Sequence, residues 1–319
     1  MADRIDRLVL TELDINARIS TSELARRLRL GRDIVEYRLE KLRDDGVLTK
    51  TMAQINPYRL GLMIFKCYLR LRSSVNRRQE LITWLKLKRS VFWVAETWGR
   101  FDAAFSALVR SPDDFDKLQI SLLTSFPDLI LSHEMALNVE VLSYPRRHLV
   151  KSSSKSKALR WGGKLQQYNL DEVEAHIISC LSEDARLSLT DLAHRCSSTP
   201  AIVSRRVAAL EDAGVIIGYR TQVDLAKLGL RYVKSQLEIS ESIKGTTVAQ
   251  ALMRFCETAP NVVYLIRQLG QYRIEVESEE AADGEYGIIL PALDSTLGHY
   301  LKSSEMLLIS KDHHHRLNL

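Results

Sequence analysis

The sequence predicts an α+β protein made of two copies of one unit, each a winged helix-turn-helix followed by a ferredoxin-like βαββαβ sandwich. Three observations predict it. The first half returns in the second at a constant shift of 168 residues, from Asp3/Asp171 to Leu71/Ile239. Leu24-Ala25 matches Leu192-Ala193, Gly46-Val47 matches Gly214-Val215, and Leu60-Gly61-Leu62 matches Leu228-Gly229-Leu230. A period that long marks a duplicated protein, not a solenoid. Each copy opens with three short amphipathic stretches bounded by helix start and stop residues. Each then alternates strand patterns with two helical ones.

In the first copy, Ile5, Leu8, Val9 and Leu13 give residues 3–17 a helical stripe. Ser20-Thr-Ser-Glu23 is a capping-box pattern that opens a second helix, with Leu24, Ala25 and Leu28 inward. A break at Leu30-Gly31 leads to a third, Arg32–Asp44, ended by Gly46. Val47–Lys50 and Met52–Ile55 are expected to form a hairpin of two short strands. The second copy repeats this at Val173–Ala185, Ser188–Arg195, Thr199–Asp212 and the strands Val215–Tyr219 and Thr221–Val223. Its third helix has the better start, with Thr199 at the N-cap and Pro200 at the first helical position.

The sandwich of copy one follows as strand Leu62–Arg72, helix Arg77–Lys88, strands Val91–Thr97 and Phe101–Val109 about a turn at Gly99-Arg100, helix Pro112–Phe126 and strand Leu129–Val141. Copy two gives Tyr232–Ile239, Thr246–Glu257, Val262–Arg267, the turn Gly270-Gln271, Tyr272–Glu277, Ala281–Leu297 and Tyr300–Ile309. The chain therefore divides into 1–56, winged helix-turn-helix; 57–144, sandwich; 145–169, basic linker; 170–223, second winged helix-turn-helix; and 224–319, second sandwich.

Composition is that of an ordinary globular protein, with a net charge of +5. That charge permits nucleic-acid binding without indicating it. No apolar run approaches the roughly 20 residues of a membrane helix, and the charged start Met1-Ala-Asp-Arg-Ile-Asp lacks a signal peptide's apolar core. The scattered Cys67, Cys180, Cys196 and Cys256 form no CxxC pair, so reduced thiols and a cytoplasmic location are expected. Ser143–Asn169 has no acidic residue and carries Arg146, Arg147, Lys151, Lys155, Lys157, Arg160 and Lys164. Its centre, Lys151–Lys157, reads as a flexible tether that also attracts phosphate.

These residues resemble the Lrp/AsnC family of transcription regulators. The resemblance rests on Asp3-Arg-Ile-Asp6-Arg-Leu-Val-Leu10, Ala17-Arg18-Ile19-Ser20, Gly46-Val47-Leu48 and Leu60-Gly61, on their second-copy counterparts Ala185-Arg186-Leu187-Ser188, Gly214–Tyr219 and Leu228-Gly229, and on the hairpin Gly99-Arg100-Phe101-Asp102. It implies double-stranded DNA as partner, an amino acid or other small metabolite as effector, no cofactor, and no catalytic residues. It also implies that the fused copies form an internal pseudo-dimer, which associates further into homo-oligomers. Fusion raises the concentration of one half around the other to about millimolar.

In a winged helix-turn-helix the third helix enters the major groove. Candidate DNA-binding residues in copy one are Arg26, Arg27, Arg32, Asp33, Glu36, Tyr37 and Arg38; in copy two they are Ser204, Arg205 and Arg206. Arginine can bond guanine O6 and N7 together or clamp a phosphate. For the matching pair Arg38 and Arg206, phosphate contact and a brace to an acidic partner both stay open. Residues 1–56 hold eleven basic and ten acidic residues, and 170–223 hold five and eight, so two half-sites of unequal strength are expected.

The resemblance also implies an effector site at the sandwich hairpins: Gly99, Arg100, Phe101 and Asp102 in copy one, Gly270, Tyr272 and Arg273 in copy two. Asp102 would pair with an α-ammonium group, and Arg273 puts a cation where copy one has that carboxylate. Asp312-His313-His314-His315-Arg316 cannot aim adjacent histidines at one ion, so no metal site is expected. Two alternatives stand beside the regulator reading. One is a co-regulator that dimerises without binding DNA. The other is a sirohaem-decarboxylase-like tetrapyrrole enzyme, against which the histidine-free strands Val91–Val109 and Val262–Glu277 argue.

Overall fold

The computed structural model describes residues 2–150, 158–240 and 247–315; the expected tether Lys151–Lys157 lies outside them. The first half comprises α1 (Arg4–Ile15), α2 (Thr21–Leu28), α3 (Arg32–Asp44), β1 (Leu48–Ile55), β2 (Met63–Leu71), α4 (Val75–Leu87), β3 (Val91–Trp98), β4 (Ala103–Val109), α5 (Pro112–Ser125) and β5 (Ile130–Ser143). After β6 (Leu159–Gly162) come α6 (Glu172–Glu183), α7 (Leu189–Arg195), α8 (Pro200–Asp212), β7 (Ile216–Val223), β8 (Leu230–Ile239), α9 (Thr247–Thr258), β9 (Val262–Leu269), β10 (Ile274–Ala281), α10 (Leu290–Leu297) and β11 (Leu301–His315).

The helix starts follow local chemistry. The Asp3 carboxylate accepts from the N–H groups of Ile5 and Asp6 at 2.8 and 3.0 Å, and Asp6 accepts from the Asp3 N–H. Asp171 and Glu174 repeat this box at α6. Ser20 caps α2 through the Glu23 N–H at 3.1 Å. Glu23 does not complete the expected box, because its carboxylate lies on Arg26 and Arg27. Gly31 gives α3 no side-chain cap, whereas Thr199 caps α8.

The expected winged hairpins are corrected. Each is one continuous strand, and β1 pairs antiparallel with β7 of the other copy, Thr51 opposite Thr221 and Ala53 opposite Tyr219. Thr49–Met52 has no Gly, Pro, Asn or Asp to turn on, so the chain stays extended and finds its partner in the duplicate. Each strand then floors the neighbouring three-helix unit. Leu10, Leu13, Leu24 and Val35 pack with Val223 and Leu228 of the second half. Ile177, Leu181, Leu192 and Val203 pack with Ala53, Ile55 and Leu60 of the first. Burying each such leucine stabilises by about 1.5–3 kcal/mol, and each unit draws part of its core from the other half.

The two sandwiches have the ferredoxin-like strand orders β5-β2-β4-β3 and β11-β8-β10-β9. Their edges join, β3 to β11 and β9 to β5, and the eight strands close into a barrel. Helices α4 and α5 cover one outer face, where Leu81, Leu85, Phe115 and Leu122 meet Phe105. Helices α9 and α10 cover the other, where Leu252, Cys256 and Leu293 meet Leu237 and Val276. Within the basic linker 145–169, outside the expected tether, β6 lies on β5, with Trp161 opposite Val141. The last helix begins at Leu290 and not near Ala281. Strand β10 runs to Ala281, and the following turn is held by the Gly287 N–H on the Glu280 carboxylate at 2.9 Å.

Candidate functional site

The outward face of α3 presents Arg32, Asp33, Glu36 and Tyr37, the last 61% exposed. The candidate arginines of α2 and α3 are already matched to local carboxylates. Arg32 lies 2.8 Å from Glu36; Arg26 and Arg27 lie 2.7 and 2.9 Å from Glu23; Arg27 reaches Glu12 at 3.1 Å. Hydrogen bonds from Arg26 and Arg27 hold the Glu23 carboxyl down at about 2. Exposed pairs of this kind contribute about 0–1 kcal/mol, so a phosphate can displace them. On α8, Ser204 and Arg205 are exposed.

Arg38 and Arg206 point elsewhere. Arg38 donates to Asp3 at 2.5 Å and to Asp6, whose side chain is 1% exposed, at 3.0 Å. Arg206 repeats the arrangement on Asp171 at 2.7 Å and Glu174 at 3.4 Å. Each ties the recognition helix to the capping box of the first helix of its unit. Of the two openings left by the sequence, this geometry is the brace.

Two further arginines, not singled out from the sequence, join the units. Arg18 donates to the Ala185 carbonyl at 2.7 Å, and Arg186 donates to the carbonyls of Ala17 at 2.9 Å and Ile19 at 2.7 Å. Arg146 clips the helical layer to the barrel. It donates to Asp14 at 2.7 Å, to Glu279 at 2.9 and 3.1 Å, and to the Thr221 carbonyl at 2.9 Å. Burial opposes ionisation of Asp14, but Arg146 and Arg220 outweigh it and hold its carboxyl below the usual range. Burial likewise opposes Glu279, and Arg146 and His148 hold it low.

The structure brings the two sandwich hairpins together across the barrel. Arg100 donates to the Tyr272 hydroxyl and to Glu134, each at 2.5 Å. Phe101 is 2% exposed, with its ring 5.5 Å from Tyr68, so it is core. The Asp102 carboxylate accepts from the Leu71 N–H at 2.7 Å and faces Arg78 at 3.3 Å. The Arg273 carbonyl accepts from the Gln268 N–H at 3.0 Å. Gly99 (φ +133°) abuts the Met306 carbonyl and Gly270 (φ +159°) the Met135 carbonyl, each on the last sandwich strand of the other copy.

At the helical end of the barrel lies a cavity of about 880 Å³. One wall is the strand pair β1–β7, with Met52, Gln54 and Gln222; the others are barrel strands and β6. Its floor is ionic. Lys66 donates to Glu275, Lys234 to Glu277, and Lys234 also to Glu275 at 3.2 Å. Tyr68 and Tyr232 donate to Glu275 and Glu277. The sequence signal for this floor was glutamate at every second position, 275, 277 and 279, in a strand, which alternation alone reads as a wet face. Among the described residues no group of three metal-ligating side chains occurs, and no helix is long and apolar enough to cross a membrane. His313 lies 2.5 Å from Glu96.

A family model for the winged helix-turn-helix DNA-binding domain matches residues 3–49 and again 170–217. The chain is similar to the HTH-type transcriptional regulator LrpC of Bacillus subtilis (strain 168), 32% identical over 121 residues, which span 36% of this chain and 79% of LrpC. It is similar to the proline dehydrogenase transcriptional activator of Rhodobacter capsulatus, 33% identical over 132 residues, 40% of this chain and 84% of that protein. Among solved structures, the siroheme decarboxylase NirDL superposes with a TM-score of 0.61 at 14% identity, covering 97% of this chain and 92% of that one. At that identity the likeness is one of fold, and it extends over the whole duplicated architecture.

Proposed function

Because this chain belongs to the Lrp/AsnC family of HTH-type transcriptional regulators, we propose that it binds double-stranded DNA as a covalent pseudo-dimer and regulates transcription in the cytoplasm. The observation that carries this reading is the exchange of β1 and β7 between the helical units. It fixes α3 and α8 relative to each other, so one duplex meets both in a set register. In this reading Arg32 and Tyr37 meet base edges with Asp33 and Glu36 beside them, and Arg26 and Arg27 exchange Glu23 for phosphate. Ser204 and Arg205 form the plainer second surface, and Arg38 and Arg206 hold the recognition helices in place. Footprinting on genomic fragments tests it. The expected result is two half-sites about 10 bp apart, or a multiple of that, with the α3 half-site the stronger. Absence of any footprint at low salt would favour the co-regulator.

We assign the hairpins Gly99–Asp102 and Gly270–Arg273 to joining the halves, since Asp102 is already matched to Leu71 and Arg78. An amino-acid response that disappears in Asp102→Ala, with folding intact, would restore the effector site there. Further association of whole chains is assigned to the exposed Leu131, Met135 and Leu269 on the sandwich surface. Light scattering of a Leu269→Glu variant checks this.

The regulator reading stands against an enzyme of the NirDL kind. The resemblance to sirohaem decarboxylases implies histidines around a tetrapyrrole, and among the described residues none lining the cavity is histidine. The lining does not fit that chemistry. A Soret band that shifts and saturates on adding sirohaem would overturn this assignment.

A further inference from the structure

Lys66 and Lys234 occupy the same place in the two copies, and both are buried among the residues lining the cavity. Their cross-strand neighbours differ. Lys66 lies opposite Ser106, between Ala104 and Leu108 on β4, and Lys234 lies opposite Glu277, between Glu275 and Glu279 on β10. A symmetrical dimer carries such a glutamate trio in both halves or in neither. The fused chain carries it once, which makes a single asymmetric site on the barrel axis. Copy one shows that small and apolar residues suffice to build this strand; buried charges are the costlier solution.

We propose that this cavity binds an organic acid with one carboxylate and a flat apolar body. The carboxylate sits at Lys66, Lys234 and Ser106, and the body lies against Phe92, Trp93 and Trp161. The volume suits it, since small-molecule sites run from about 300 to 1,000 Å³. Each ammonium carries three N–H donors. The bonds to Glu275 and Glu277 leave both lysines a donor to give. The Lys234 ammonium also stands 4.7 Å over the Trp93 ring, so polar floor and aromatic wall are contiguous. Asn138 lines the cavity with a buried side-chain oxygen that has no hydrogen-bond partner among the described residues.

A zwitterionic amino acid fits less well. Its ammonium needs an unmatched carboxylate, but Glu275, Glu277, Glu279 and Asp14 already carry cations. Charge balance adds a signature. Lys66, Lys234, Glu275 and Glu277 sum to zero when ionised, so a carboxylate seated on this quartet adds one negative charge to it; Asp14, Arg146, Arg220 and Glu279 beyond it are matched among themselves. Glu277 is the group to take up the proton. It faces Lys66 on β2, Lys234 and Tyr232 on β8, Tyr264 on β9 and Glu275 on its own strand. Burial raises its carboxyl; Lys234 and Lys66 oppose this, and Glu275 adds to it. Met52, Gln54 and Gln222, which form one wall of the cavity, belong to the strand pair that joins the helical units.

Calorimetry without DNA tests the site independently of the DNA-binding reading. The probes are trans-cinnamate, 1-naphthoate and 3-phenylpropionate, with 3-phenylpropionamide and L-phenylalanine as counterparts. We expect at least one acid to bind with a Kd of about 1 mM or tighter. The amide and the amino acid should bind at least about tenfold more weakly. Proton uptake should weaken acid binding by up to about tenfold per pH unit above the point where Glu277 ionises. Lys66→Met should lose binding and Lys66→Arg retain part of it. Leu108→Trp fills the space without altering charge and should also abolish binding. Silence from every acid, equal binding of the amide, tighter binding of L-phenylalanine, or full affinity in Leu108→Trp would each overturn the proposal.

Discussion

Arg18 and Arg186 stand 168 residues apart in sequence and exchange places in space: each guanidinium donates to the carbonyl of the alanine that precedes the other. A family sequence feature, the arginine before Ile19-Ser20 and Leu187-Ser188, is therefore the joint of the pseudo-dimer. The joint is reciprocal but not equal, because Arg186 also reaches the Ile19 carbonyl and Thr21 at 3.3 Å.

That inequality is measurable. Hydrogen bonds to charged groups contribute about 1.5–3 kcal/mol each. Arg18→Ala, which removes one such bond, should lower stability by about 1.5–3 kcal/mol, and Arg186→Ala, which removes three, should cost clearly more, read from urea unfolding. Equal losses would show that the second set of Arg186 bonds adds nothing.

Recognition-helix arginines separate into two kinds. Arg32→Ala should weaken DNA binding by about 1–3 kcal/mol with little change in stability, because its Glu36 pair is exposed. Arg38→Ala should lower stability by about 1–3 kcal/mol, since it strips the buried Asp6 of its shorter ion pair and leaves only Lys41 at 3.5 Å. Mobility shifts and thermal melts on the same pair of variants check the division. Unchanged DNA affinity in Arg32→Ala would remove it from the interface.

Within one copy the sequence was readable because each signal is local. Asp3 and Asp171 cap their helices, Gly46 ends α3, and the strands alternate. What joins the copies was not readable. Alternation in Leu48–Ile55 specifies an extended edge but not which edge it meets, and only the missing turn residue at Thr49–Met52 hinted at a partner outside the copy. Lys66 and Lys234 are buried only because the sheet closes on itself, which no local pattern specifies. Asp102 suited an ammonium by type, yet its backbone position places it on Leu71. The long helix expected from Ala281 fails because β10 continues to Ala281 and Gly287 turns with a positive φ.

The Arg146 clip sets an acid limit. Asp14 and Glu279 both have carboxyls held below their ordinary range. A depressed folded-state value gives stability that is present above the unfolded pKa, about 4, and is lost as pH falls through the folded value. The protein should therefore lose stability steeply below about pH 4. Asp14→Asn should cost about 3–5 kcal/mol at neutral pH by leaving Arg146 and Arg220 short of a partner, and it should flatten the acid slope. Denaturant titrations at several pH values read both effects; an unchanged slope would place the acid sensitivity elsewhere.

Gly99 and Gly270 flank the seams where the sandwiches meet. Gly99 has φ +133°, and a Cβ there would come within 2.5 Å of the Met306 carbonyl oxygen, a backbone atom that cannot swing aside. Gly270 has φ +159° and the milder approach of 2.9 Å to the Met135 carbonyl oxygen. Alanine at Gly99 therefore meets both unfavourable backbone dihedrals and overpacking, about 2–4 kcal/mol together. Alanine at Gly270 should cost less. The loss should be local as well as global. Strand β11 pairs with β3 through Leu308 and Trp98 next to this hairpin, so pushing Met306 away opens that seam first. Hydrogen exchange in Gly99→Ala should speed up at Leu307–Ile309 before it does at β9 and β5. If the two seams loosen together, or if both variants lose the same stability, the hairpins are not the joints that hold the barrel closed.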